Sequence, residues 1–231
     1  MNRNLQLAPT TIHIDFEMAV IQAIRAEFAI EPSGCLFHFC QSILRHLQQA
    51  GHGLQVAYNT NIPPEVRTWI RRNIALPLVP PLRIDQAFQA TVANAPNVPG
   101  KDIMNDYVLN TQVDPNTAMF PCVMWNCYGA HDRTINAREG YHSLLTSHFK
   151  HHAPDPYAFI AFLQQQDMEL ERRIGQLQVG APPKRRKTKY VLVDEAIERL
   201  RDQYFTVGIP NVARLLQYMD AVAHQLYDVK H

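Results

Sequence analysis

The first fifty residues constrain the fold more than any other part of the chain. Residues 10–14 (TTIHI) are β-branched and alternate, which predicts a strand. From residue 17 to about 29, Ile21, Ile24 and Phe28 repeat at helical spacing. Glu31-Pro32-Ser33-Gly34 breaks that pattern. Residues 35–39 (CLFHF) then read as a second short strand, and residues 41–50 as a helix with Ile43, Leu44 and Leu47 turned inward. A strand–helix–strand unit of this kind joins parallel strands through a crossover, so the opening predicts a parallel pair. Two strands alone do not make a stable sheet. The pattern asks either for more strands elsewhere in the chain or for an incomplete sheet.

The remainder reads as mostly helical, giving a predominantly helical α/β chain. Val66, Trp69, Ile70 and Ile74 mark a helix between Pro63-Pro64 and Pro77, and residues 77–81 (PLVPP) form a stiff connector. A helix near 83–94 carries Phe88 and Val92, and 95–100 (APNVPG) is a turn. Residues 110–122 lack a clear period and read as loop. Asn136 to about Lys150 reads as a helix presenting Ala137, Tyr141, Leu144 and Leu145. A long polar helix near 157–178 follows, then a basic linker over 180–189. Two amphipathic helices close the chain, one on Val193, Ile197, Leu200 and Tyr204, the other on Val212, Leu215, Leu216, Met219 and Leu226.

Composition narrows the class. With 46% hydrophobic and 19% charged residues, a disordered chain is excluded. No apolar stretch approaches the roughly 20 residues of a membrane span, so no membrane partner is expected. The opening residues lack the apolar core of a secretory signal. The four cysteines (35, 40, 122 and 127) are accordingly expected as reduced thiols or metal ligands rather than disulfides. Net charge is +1, but Lys184, Arg185, Arg186, Lys187 and Lys189 alone supply +5 and leave −4 for everything else.

Four features carry chemistry. Asp15 falls at the carboxyl end of a predicted parallel strand, where open α/β sheets place ligands and where a carboxylate suits Mg²⁺ or Mn²⁺; the alternative is a helix N-cap, which Asp also favours. Cys35-x-x-His38 has two zinc-type donors, to which Cys122 and Cys127 would add two more. The alternative is that these are small core thiols and an interior histidine. Glu139 precedes His142 by one helical turn; it reads either as a metal ligand facing Asp15 or as a solvated first-turn carboxylate. The run 184–189 (KRRKTK) after Pro182-Pro183 reads as a nuclear-import or phosphate-binding patch, or as a solvated linker.

Taken in order, these pieces resemble one family. Strand-Asp15-Phe16-Glu17, Cys35-Leu36-Phe37-His38-Phe39-Cys40-Gln41, Trp125-Asn126 and Arg133-Thr134-Ile135-Asn136-Ala137-Arg138-Glu139-Gly140-Tyr141-His142 are similar to the catalytic domain of the Mutator-like element (MULE) transposases. The resemblance covers roughly residues 10–165. It implies an RNase H-like fold in which an Asp-Asp-Glu triad holds two divalent ions, Mg²⁺ or Mn²⁺, for DNA cleavage and strand transfer. By position Asp15 resembles the second Asp, Glu139 the Glu, and Cys35/His38 the family's Cys-x-x-His pair. The family pattern needs only that pair, so Cys122 and Cys127 are expected elsewhere. Ile135 stands where the family's Arg-Thr-Asn-Asn pattern has its first Asn.

No acidic residue precedes Asp15, so the first Asp of the triad has no counterpart in residues 1–231. The expectation is a C-terminal transposase part, inactive alone, that touches DNA weakly, meets an import receptor and is nuclear. Its divisions would be residues 1–165 (a partial catalytic domain with a helical insertion over about 41–130), 166–189 (polar helix and basic linker) and 190–231 (a helical pair). Two other readings stand beside it: a helical DNA- or protein-binding module without catalysis, and a domain stabilised by zinc on Cys35, His38, Cys122 and Cys127.

Overall fold

Where the crossover pattern calls for a parallel pair, the structure has one. The computed structural model describes residues 8–49, 62–130, 133, 143–149, 154–182, 187–206, 208 and 210–228. Strand β1 (His13–Ile14) lies parallel to β2 (Ser33–Gly34), with His13 opposite Ser33 and Ile14 opposite Gly34. Helix α1 (Met18–Phe28) makes the crossover and buries Ile21 and Ile24. It ends at Ala29 in the left-handed region, φ 53°, whose N–H closes on the Arg25 carbonyl.

The strands are shorter than the sequence suggests. Only two of the residues over 10–14 pair, and residues 35–39 are not a strand at all. Cys35 instead precedes helix α2 (Leu36–Gln48), which buries Leu36, Phe39, Cys40, Ile43 and Leu47. That stripe keeps helical spacing from Leu36 to Leu47, and it outweighs a brief alternation in CLFHF. Among the described residues no third strand joins the sheet.

Helix α3 (Pro64–Ala75) begins on a proline, where the missing N–H costs nothing, and buries Val66, Trp69, Ile70 and Ile74. The proline connector follows as two 3₁₀ turns, Leu76–Leu78 and Pro81–Arg83. It runs through the core: Leu76, Pro77, Leu78 and Val79 are all buried. Its carbonyls are therefore matched one by one. Leu76 accepts from the Val79 N–H (3.0 Å), Pro77 from the Cys127 N–H (2.7 Å), Leu78 from the Tyr218 hydroxyl (2.6 Å), Val79 from the Asn126 amide (2.8 Å) and Pro80 from the Arg83 N–H (2.8 Å).

Helices α4 (Ile84–Ala93) and α5 (Lys101–Val108) come next. The stretch expected as loop over 110–122 is partly helical: α5 runs on into a π-helical turn, Leu109–Val113, and α6 (Cys122–Trp125) follows. Tertiary contact overrides the weak local pattern here. The buried Trp125 indole N–H donates to the carbonyls of Gln112 (3.0 Å) and Phe120 (3.1 Å), folding the segment back on itself.

The chain divides into two units, Met1–Ile135 with Lys189–His231, and Asn136–Thr188. In the first, α8 (Thr188–Phe205) buries Ile197, and α9 (Val212–Asp228) packs along α3, where Arg72 grips Asp220 through two 2.7 Å hydrogen bonds. Lys189, expected in a linker, is instead in the first turn of α8. In the second, α7 (Pro156–Gln178) starts at Asp155, whose carboxylate accepts from the N–H groups of Tyr157 (3.0 Å) and Ala158 (3.1 Å). Residues 143–148 are also helical, and the rings of His148 and Phe149 rest against Phe162. The earlier part of that expected helix, 136–142, lies outside the described residues. No helix among the described residues is long and apolar enough to cross a membrane.

Removing the Tyr218 hydroxyl leaves the buried Leu78 carbonyl without its partner. Tyr218→Phe should therefore cost about 1–3 kcal/mol. Urea unfolding followed by circular dichroism would read this as a lower midpoint at unchanged slope.

Candidate functional site

Asp15 follows β1 directly and Cys35 follows β2 directly. Both therefore stand at the carboxyl ends of adjacent parallel strands. The Cys35 N–H donates to the Ile14 carbonyl (2.9 Å) and locks the two ends together. The next N–H, that of Leu36 at the start of α2, donates to the Arg133 carbonyl (2.8 Å). Phe16 then turns back across β2. A Cβ on Gly34 would lie 2.6 Å from the Phe16 Cζ, so a side chain there would displace the ring. The far side of that ring meets Phe120 edge-on at 4.9 Å between centroids.

Arg133 is the hinge of this corner. Its backbone holds the start of α2, and its guanidinium, 9% exposed, pairs with Asp194 on α8. Breaking such a part-buried pair strands a charge in a poorly solvated place.

The thiols are structural in character. Cys35, Cys40 and Cys127 are buried and Cys122 is half-buried; none of the four is in a disulfide. Burial pushes the Cys127 thiol up to about 12, the nearby Arg133 charge opposing and Cys35 adding to the rise. Burial also raises Cys122. Cys127 lies close enough to Cys35 for the two thiols to interact electrostatically. The cause is the connector: the Cys127 N–H is drawn to the Pro77 carbonyl, and α6 with it lies over β2, the Met124 carbonyl standing 3.3 Å from the position of a Gly34 Cβ.

His38 lies in the first turn of α2, one turn beyond Cys35. Its Nδ1 and that of His13 are shielded from solvent without a hydrogen bond. Among the described residues no three His, Cys, Asp or Glu side chains converge into a metal ligand set. Glu139 lies outside the described residues, as do Lys184, Arg185 and Arg186; Lys187 and Lys189 are exposed. Sequence reasoning missed the Arg133–Asp194 pair. Arg133 stands in the quoted Arg-Thr-x-Asn stretch, but nothing in the pattern around Asp194 points to it.

Comparison with protein-family models, with curated proteins and with solved structures finds no match.

The raised Cys127 thiol has a pH consequence. In the unfolded chain the thiol ionises near its ordinary value of 9.0, while in the folded protein it stays neutral to about 12. Stability is therefore intact below pH 9 and falls as pH rises from 9 towards 12, by up to about 1.4 kcal/mol per pH unit. Cys127→Ala should flatten this alkaline limb in urea titrations run at successive pH values.

Proposed function

We propose that this chain is a transposase-derived protein of the MULE type, with a partial RNase H-like core, which contacts DNA without cleaving it. One observation carries the reading: a parallel crossover sets Asp15 and the Cys35-x-x-His38 pair at neighbouring strand ends, in the order the family resemblance requires. The Arg133 backbone, at the head of the Arg-Thr-x-Asn stretch, meets the same ends.

Catalysis by two ions needs several carboxylates to hold both metals about 4 Å apart. The described residues do not fit such a centre. Asp15 offers the hard oxygen that Mg²⁺ or Mn²⁺ prefers, but no ligand set converges on it among them. Residues 1–231 contain counterparts for only two members of the triad, Asp15 and Glu139. No cleavage step is assigned to the chain. Contact with DNA falls to the basic run Lys184, Arg185, Arg186, Lys187 and Lys189, which matches phosphates and reads no bases. The same run suits an import receptor, and with it a nuclear location.

The test is anisotropy with labelled duplex DNA across a salt series. Five phosphate contacts predict a log–log slope of about −4 to −5, a loss of about 10²–10³-fold between 50 and 200 mM salt. Changing Lys184, Arg185, Arg186 and Lys187 to Ala should bring the slope near −1. Supercoiled plasmid with Mn²⁺ should stay intact. Binding that ignores salt, or that survives the four substitutions unchanged, overturns the assignment.

A further inference from the structure

The long polar helix carries an apolar stripe. Along α7, Ile160, Leu163, Asp167, Leu170, Ile174 and Leu177 are spaced 3, 4, 3, 4 and 3 residues apart. That is an unbroken a/d heptad seam, with Ile160, Asp167 and Ile174 at a, and Leu163, Leu170 and Leu177 at d. The five aliphatic members are between 40% and 56% exposed, and Asp167 is exposed too. Across the whole of α7 only Phe162 is buried. Phe149 packs on Phe159 and Phe162, beside the seam rather than over it.

We propose that this seam pairs with the same helix of a second copy of the chain, parallel and in register, as a short two-stranded coiled coil. The a/d chemistry selects this occupant. Branched Ile at a with Leu at d favours two parallel strands, and a single polar residue at one a position fixes register at a cost in strength. In-register pairing stacks like on like: Ile160, Leu163, Asp167, Leu170, Ile174 and Leu177 each meet their own copy. The flanking e and g positions then set Gln166 against Glu171 and Arg173 against Gln178, so no like charges oppose each other there. Only Asp167 meets its own charge.

The area fits a weak dimer. Covering roughly half of five large aliphatic side chains on each helix removes on the order of 900 Å² from water, before the stems at e and g are added. This approaches the lower bound of specific interfaces. With Asp167 opposed to Asp167, weak association is expected.

Sedimentation equilibrium of the full chain from about 1 to 500 µM tests this. The expected result is a reversible monomer–dimer equilibrium. Asp167→Asn should tighten it at least tenfold, a gain that misfolding does not mimic. Leu170→Glu with Ile174→Glu should abolish it, with circular dichroism confirming a folded chain. In Leu177→Cys, parallel helices bring the two introduced thiols together, and mild oxidation should trap a covalent dimer. A chain that stays monomeric throughout, with Asp167→Asn no different, overturns the proposal. So does a dimer indifferent to the double glutamate variant, which would place the contact elsewhere, or one that Leu177→Cys fails to trap, which would exclude the parallel register.

Discussion

The first unit depends on how five consecutive carbonyls are satisfied. Residues 76–80 pass through the interior carrying two prolines, which supply no N–H and prevent the segment from forming a regular helix or a sheet rung. Each carbonyl from Leu76 to Pro80 nevertheless has a donor. Two donors are local, at Val79 and Arg83. The others come from far away: the Cys127 N–H and Asn126 amide from the segment after α6, and the Tyr218 hydroxyl from α9. Placing these donors fixes where α6 and α9 must lie. α6 is thereby held over Gly34, and α9 along α3, where Arg72 and Asp220 confirm the register. A buried non-helical segment would otherwise carry unmatched acceptors, each costing about 1–3 kcal/mol.

The strand ends inherit their order from that arrangement. Two residues in each strand cannot hold a sheet by ladder bonds alone. The pair persists because each end is tied: Cys35 to Ile14, Leu36 to Arg133, and Phe16 wedged between Gly34 and Phe120. Arg133 then passes the constraint to α8 through Asp194. Asp15 is therefore positioned by neighbours from four separated parts of the sequence, although its own strand is only two residues long.

The crossover, α1, α3, α4 and the last two helices were legible in the sequence because their apolar residues repeat at 3.6 over two turns or more. The second strand was not: it pairs over Ser33–Gly34, inside the stretch read as a break, and residues 35–39 are not strand. CLFHF alternates, yet Leu36 and Phe39 belong to the helical stripe that continues to Leu47, and the two periods coincide over so few residues. The π-helical turn and α6 were illegible for another reason: they are held by Trp125 reaching Gln112 and Phe120, a contact that no local window contains. Of the candidate site, Asp15, Cys35 and His38 were found by position and chemistry. The role of Arg133 was not, since its carbonyl, not its charge, meets the strand ends, and a carbonyl has no sequence signature.

The seam on α7 was missed by averaging. Polar and charged residues fill most of the helix outside its six seam positions, so the composition reads as polar while the spacing does not. The contrast between the two units explains why such a seam persists. The first unit has enough chain to bury the apolar faces of α2, α3 and α9 within itself. The second spans about fifty residues, and a unit of that size covers only about 60% of the surface its unfolded chain exposes. Its long helix turns Phe159 and Phe162 towards Phe149 and leaves the Ile and Leu stripe uncovered. Isolated aliphatic side chains on a surface need no explanation, but five at heptad spacing around one acid do. An Asp at the centre of that stripe weakens any apolar contact it joins, so it keeps the monomer soluble and restricts pairing to the register in which the remaining layers match.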